Sequence, residues 1–298
     1  MRGGLRVYKP LGVSSFDVIR SLRSIMPPGT TLGHAGTLDP AADGLLLVLV
    51  NEATRVQHLL KDLDKTYLAV VRLGVETDTL DKTGKVIREA EVPEIDTEAI
   101  RAALGELEGK RKQKPPVFSA IKVNGRRSYE RARKGEEFEL PERQVEIKEL
   151  ELVKWRSPLI EIRSLVSSGT YIRSLAKEIG AALSLPASLE HLKRTHIGAF
   201  SSDDAVRLEG LTFEVVERSL LDLRQLLAHI PQYVVNEEAA LRLLQGNALE
   251  MEAAEPFCGQ GAAAVFSGDG MKAFLCSREG RTIRSKRLLY NNGAVDGR

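Results

Sequence analysis

Asp39 is the residue of this sequence best placed to do chemistry, because it stands immediately before Pro40 in a glycine-rich segment, GHAGTLDPAADG. A residue that precedes proline is driven out of the α region into an extended conformation. Gly33, Gly36 and Gly44 let a ligand or another backbone come close. The carboxylate is therefore displayed on a shaped loop, where an aspartate on a helix face would only be solvated. A lone acid of this kind can act as nucleophile or base when a fixed cation keeps it ionised. Arg173, in SSGTYIR, is the candidate cation, since the preceding Ser-Ser-Gly-Thr can start a helix whose first turn aims inward. Taken alone, a turn-forming aspartate and a surface arginine are the commoner cases. Other chemistries find little support. Asp43 follows closely, but no cluster of histidines and acids completes a metal shell with His34, so no metal is expected. The sequence has neither a nucleophile elbow nor a phosphate-binding loop.

The elements that must position these residues follow from hydrophobic periodicity. Gly3 to Lys9 reads as a strand, and Ser14 caps a helix in which Phe16, Ile19, Leu22 and Ile25 form the apolar stripe. Pro27-Pro28-Gly29 ends that helix, and the Asp39 loop then runs into a buried strand, Leu45 to Val50. A helix over roughly 52 to 62 follows. Tyr67 to Leu73 and Lys85 to Glu89 read as strands joined by an exposed connection, GVETDTLDKTG. A short helix near 97 to 104, paired strands Val145 to Val153 and Leu159 to Val166, and a helix from Thr170 to Leu183 complete the pattern. Strands and helices without regular βαβ alternation indicate an α+β fold. Beyond residue 230 the texture changes to a helix, Glu237 to Gln245, and short glycine-separated strands such as Ala262 to Phe266 and Lys272 to Cys276. A small second domain, mainly β, is the simplest account.

At 298 residues and 43% hydrophobic content the chain can bury a sizeable core, which excludes a disordered or fibrous protein. Its longest apolar run is far too short to span a membrane as a helix, so no membrane association is expected. Cys258 and Cys276 suggest neither a disulfide framework nor a zinc knuckle, and a cytoplasmic setting is the default. The net charge of +2 is unevenly spread. Between Lys110 and Lys134 there are ten basic residues against the single acid Glu130. Such a block suits a polyphosphate surface or a solvated charged loop about equally well. Arg281, Arg284, Lys286 and Arg287 offer a second phosphate contact.

Five segments, in this order, resemble the TruB family of tRNA pseudouridine synthases across nearly the whole chain. They are KPLGVSSFDVI, GHAGTLDPAADGLL, KTYLAVVRLGVETDTLDKTG, QKPPVFSAIKVNGRRSYERARKG, and SSGTYIRSLAKEIG continuing to HLKRTHIG. The resemblance implies a pseudouridine-synthase fold, with a central mixed, mainly antiparallel sheet spanning residues 1–230 and a PUA-like RNA-binding domain over 231–298. It implies conversion of the T-loop uridine of tRNA, by base flipping and without a cofactor, with Asp39 as catalytic carboxylate. His34 falls on a residue that helps extrude nucleotides, Tyr67 on the aromatic that stacks on the target base, and Arg173 on the partner of the aspartate. Tyr171 and Leu192 fall on further substrate-pocket positions, and Lys9 and Pro10 on a motif that buttresses the site. An insertion over about 110–140 would grip the T-arm, with Lys112, Arg126, Arg127 and Arg131 as RNA contacts. Val166, Ser168 and Lys193 depart from residues frequent in the family. The family pattern implies a monomer that needs no protein partner. A guide-RNA-dependent synthase and a purely RNA-folding protein are the competing readings.

Overall fold

The computed structural model describes residues 1–118, 122–123, 126–128, 136, 138, 140–250 and 260–292. Among these, one large sheet runs in the order Val206–Arg207, Gly3–Lys9, Ala42–Val50, Ala187–Ile197, Lys65–Leu73, Leu159–Val166, Arg143–Arg156 and Gly109–Gln113. Two neighbouring pairs are parallel, Gly3–Lys9 with Val206–Arg207 and Ala42–Val50 with Ala187–Ile197, and the others on this path are antiparallel. The mixed, mainly antiparallel α+β architecture is thus the expected one.

The strand Ala42–Val50 is buried at all nine positions because it is covered on both faces. Leu46, Val48 and Val50 pack with Val18, Ile19 and Leu22 of the helix Ser15–Ile25. Leu45, Leu47 and Leu49 pack with Ala264, Phe266, Leu275 and Leu289 of a second, five-stranded sheet. That sheet orders Gln232–Val235, Gln260–Ser267, Lys272–Glu279, Thr282–Asn291 and Leu249–Glu250, with the helix Glu237–Leu244 against it. On the other half of the large sheet, Ile172, Leu175 and Ile179 of the helix Ile172–Ala182 pack on Tyr67, Val71, Ile160 and Ile162. Docking this helix by its apolar face fixes Arg173, in its first turn, over the interior strands of the sheet.

Several elements differ from expectation. Phe16 does not join the core stripe: it is 59% exposed, while Val18, Ile19 and Leu22 are buried. The capping box of Ser14 and Asp17 sets the helix rotation, and the buried face is centred two residues further on. The strand Lys65–Leu73 does not continue into a hairpin with Val86–Glu89. Gly74, at φ +85°, turns the chain away, and Val86–Glu89 pairs instead with Val75–Thr77. The predicted helix over 52–62 splits into a 3-10 turn, Asn51–Val56, and one α turn, Gln57–Lys61. The central strand Ala187–Ile197 was not legible, because Glu190, His191 and Lys193 interrupt its apolar positions. The start of the basic block is sheet rather than loop: Gly109–Gln113 is an edge strand paired with Arg143–Ile147. Cys258 and Arg131 lie outside the described residues.

Candidate active site

The Asp39 loop is held from three directions, with the buried side chains of Ser15, Arg194 and Lys9 behind it. From the N-terminal strand and helix, the Ser15 hydroxyl donates to the Leu38 carbonyl (3.0 Å) and accepts from the Leu38 amide (2.9 Å), while the Gly12 amide donates to the Pro40 carbonyl (2.8 Å). From the central strand, Arg194, 1% exposed, donates Nε to the Leu45 carbonyl (2.8 Å) and its two terminal nitrogens to the carbonyls of Thr37 (3.2 Å) and Gly36 (3.1 Å). A planar guanidinium can satisfy three carbonyls at once, which a lysine could not. From below, Lys9 is fully buried and donates to the carbonyls of Pro10 (2.8 Å) and Val13 (2.7 Å), so it stiffens the turn that carries Gly12. Burial pushes its ammonium down to about 8, against attraction from Asp43 and Asp39. Lys9 and Pro10 thus lead into the turn that bonds to the Pro40 carbonyl.

Arg173 meets Asp39 at 2.9 Å. Its side chain is 8% exposed, whereas that of Asp39 is 42% exposed, so the cation is part of the wall and the carboxylate is presented to the open side. The guanidinium is fixed by the carbonyls of Thr79 (3.2 Å) and Phe118 (3.0 Å) and faces a second carboxylate, Asp81, at 3.7 Å. Asp81 is buried and accepts from the Thr83 amide and the Thr79 hydroxyl, each at 2.9 Å. Arg173 thus bridges a buried acid and a displayed one. Sequence reading singles out neither Asp81 nor Arg194, although both lie within segments that carry the resemblance, TLDKTG and HLKRTHIG.

A cleft of about 570 Å³ opens over this pair, lined among others by Asp39, Lys65, Tyr67, Tyr171, Arg173, Leu192 and Arg194. Tyr67 (8% exposed) lies in the strand Lys65–Leu73, paired with Arg194 on one side and Ser164 on the other. The Tyr171 amide is the N-terminal cap position of the helix Ile172–Ala182 and donates to Gln113 Oε1 (2.8 Å), tying the cleft to the edge strand. His34 does not line the cleft. It ends the strand Leu32–His34, half buried, with its imidazole pushed toward the neutral form by burial and then by Arg194. Lys112 is exposed on the edge strand, and Arg126 and Arg127 lie in a short strand paired with Lys122–Val123. Asp43 turns to Tyr8, whose hydroxyl donates to it, and to His191, with Nε2 3.0 Å from Oδ1. Burial, then this hydrogen bond, pushes the Tyr8 hydroxyl up to about 12. Among the described residues no group of three or more His, Cys, Asp or Glu could hold a metal ion.

An aspartate–arginine pair in a cleft on a mixed sheet defines a class, and sequence comparison gives it a family. The family model of the TruB family pseudouridylate synthase N-terminal domain matches residues 27–172. A tRNA pseudouridine synthase B from Oceanobacillus iheyensis is 38% identical over 263 residues, covering 86% of each chain. One of the same name from Azoarcus sp. is 39% identical over 290 residues, covering 96% of this chain and 94% of that one. The fold is also that of a chain in a structure of an H/ACA RNP bound to a substrate RNA containing 2'-deoxyuridine, with a TM-score of 0.72 at 20% identity over 98% of this chain and 86% of the other. A Cbf5-Nop10-Gar1 complex gives a TM-score of 0.71 at 22% identity, covering 97% and 85%. This chain belongs to the TruB family of pseudouridylate synthases.

Proposed function

We propose that this protein isomerises the T-loop uridine of tRNA, position 55, to pseudouridine, with Asp39 as the catalytic carboxylate. The observation that carries the reading is the Asp39–Arg173 pair at 2.9 Å, half exposed on the carboxylate side, under a cleft of about 570 Å³ walled by Tyr67. The reaction breaks the bond from ribose C1′ to uracil N1, turns the detached base, and joins C1′ to C5, which loses its proton while N1 takes one up. It is neutral in redox terms and calls for no cofactor. Asp39 initiates cleavage, either by attack at C1′ or by elimination to a glycal. Arg173 orients the carboxylate, and the buried Asp81 holds Arg173.

A uridine inside a folded loop must be flipped out to reach Asp39, at a cost of a few kcal/mol. Stacking on Tyr67 returns roughly 1–3 kcal/mol. Tyr171 and Leu192 enclose the base, and His34, at the margin, helps to extrude it. Residues 1–230 form the catalytic domain and 231–298 a PUA-like RNA-binding one. Lys112, Arg126, Arg127 and Arg131, within the insertion over about 110–140, contact the T-arm as a cytoplasmic monomer works without a protein partner. The names of the relatives, tRNA pseudouridine synthase B, support a tRNA substrate. The test is an unmodified tRNA transcript, and its isolated T-arm, incubated with the protein alone. Pseudouridine at the T-loop position without guide RNA is expected, and conversion that depends on an added guide would contradict the reading.

A further inference from the structure

We infer that the outer face of the helix Ser15–Ile25 is a second contact for the substrate RNA, in which Phe16 stacks on an unpaired nucleobase and Arg20 and Arg23 meet phosphates. The inference rests on the proposed RNA substrate but not on the chemistry of Asp39. Phe16 is 59% exposed, level with Val234 and below only Ile87 among the large hydrophobic side chains of the described residues. A single exposed phenyl needs no explanation of its own. Three further features give this one a role.

The first is the company it keeps. Arg20 and Arg23 follow Phe16 on the same helix face at helical spacing, both exposed, and the Arg20 guanidinium lies 5.2 Å from the Phe16 ring centre. An aromatic face interleaved with cations is what a single-stranded nucleic acid recognises, because every base has a π-face and every linkage a charge. The second is place. Ser15, the adjacent residue, is hydrogen-bonded to both backbone groups of Leu38, the residue before Asp39. Leu38 lines the cleft, so the first turn of this helix adjoins the loop that borders it. The third is a second exposed apolar side chain. Leu11, 49% exposed, stands beside Gly12, whose amide holds Pro40. The RNA is favoured over a protein partner by charge: the two arginines are only partly offset by Asp17, which is engaged by the Ser14 cap as well as by Arg20 (2.9 Å).

The test compares wild type with Phe16→Ala, Phe16→Tyr and the double variant Arg20→Gln/Arg23→Gln. Binding of a labelled T-arm hairpin is read at several salt concentrations, alongside kcat and KM on the tRNA transcript and the urea unfolding midpoint. Phe16→Ala is expected to raise Kd and KM by at least about fivefold, with the loss falling on KM rather than kcat, and Phe16→Tyr to restore both. The double arginine variant is expected to reduce the salt slope of binding by about one to two. Kd for Phe16→Ala within twofold of wild type overturns the inference, as does a loss shared by Phe16→Tyr or accompanied by a lowered unfolding midpoint. A wild type that binds the hairpin without converting the transcript would sink the proposed activity, leaving the Phe16 comparison to decide this contact. A wild type that does not bind the hairpin would sink both.

Discussion

Lys9 shows what it costs the fold to bury an ammonium close to the Asp39 loop. Its ammonium, fully buried under the Asp39 loop, is lowered from 10.5 to about 8, chiefly by burial. Between these values the unfolded chain binds a proton that the native state has released, so this group makes stability rise with pH across that window. Its penalty is fully present below about 8 and is relieved above 10.5. Urea unfolding measured from pH 7 to pH 11 should therefore show a shallower rise for Lys9→Met than for wild type. Parallel curves would mean that the buried amine titrates normally. At this scale the sequence was informative where a residue type is forced by a motif. Asp39 before Pro40 and Arg173 after Ser-Ser-Gly-Thr were legible, and the structure brings them to 2.9 Å. Asp81 and Arg194 were not, because their roles lie in reaching backbone carbonyls and a cation far along the chain, which no local pattern encodes.

Among the elements, the parallel pairing of Ala42–Val50 with Ala187–Ile197 anchors the end of the loop. Gly44 adopts φ +106°, and a Cβ there would lie 2.3 Å from the Arg194 carbonyl oxygen. Gly44→Ala therefore combines backbone strain with a clash against the strand that supports Asp39. A loss on the order of 3 kcal/mol in urea unfolding is expected. A loss below about 1 kcal/mol would show that the two strands can separate locally at little cost. The strands that alternate cleanly or run apolar, such as Ala42–Val50 and Leu159–Val166, were readable from periodicity. Ala187–Ile197 was not, since a strand whose polar residues serve a cleft and whose bulges fall at Leu189/His191 and Arg194/His196 loses its two-residue period. Phe16 was misread for a related reason: helical spacing admits two neighbouring stripes, and only packing against Leu46 and Val48 decides between them.

For the molecule as a whole, the second sheet is part of the same core as the first. Phe266 and Leu289 pack with Leu47 and Leu49, Arg55 donates to the carbonyls of Leu288 and Leu289 at 2.8 Å, and Arg2 stacks on Tyr290 at 3.8 Å. The two units should then unfold together. Phe266→Ala, which removes a buried ring at a cost of about 3–5 kcal/mol, should shift the midpoint seen by Trp155 fluorescence as far as that seen by circular dichroism. Trp155 reports the far side of the large sheet, so a midpoint unchanged there would mean that the C-terminal unit melts alone. The sequence announced the second unit by its change of texture but not that it would seal the back of Ala42–Val50, the strand that follows the Asp39 loop, since long-range packing leaves no local trace.

The account turns on the displayed carboxylate, and the most direct measurement is release of tritium from uracil C5 of a labelled tRNA transcript by wild type and Asp39→Asn. Asparagine keeps the size of the side chain and removes its charge. Wild type should release the label as C5 bonds to ribose, while the variant, still folded and still binding the transcript, should remain at background. Sustained release by Asp39→Asn would contradict the role assigned to this residue.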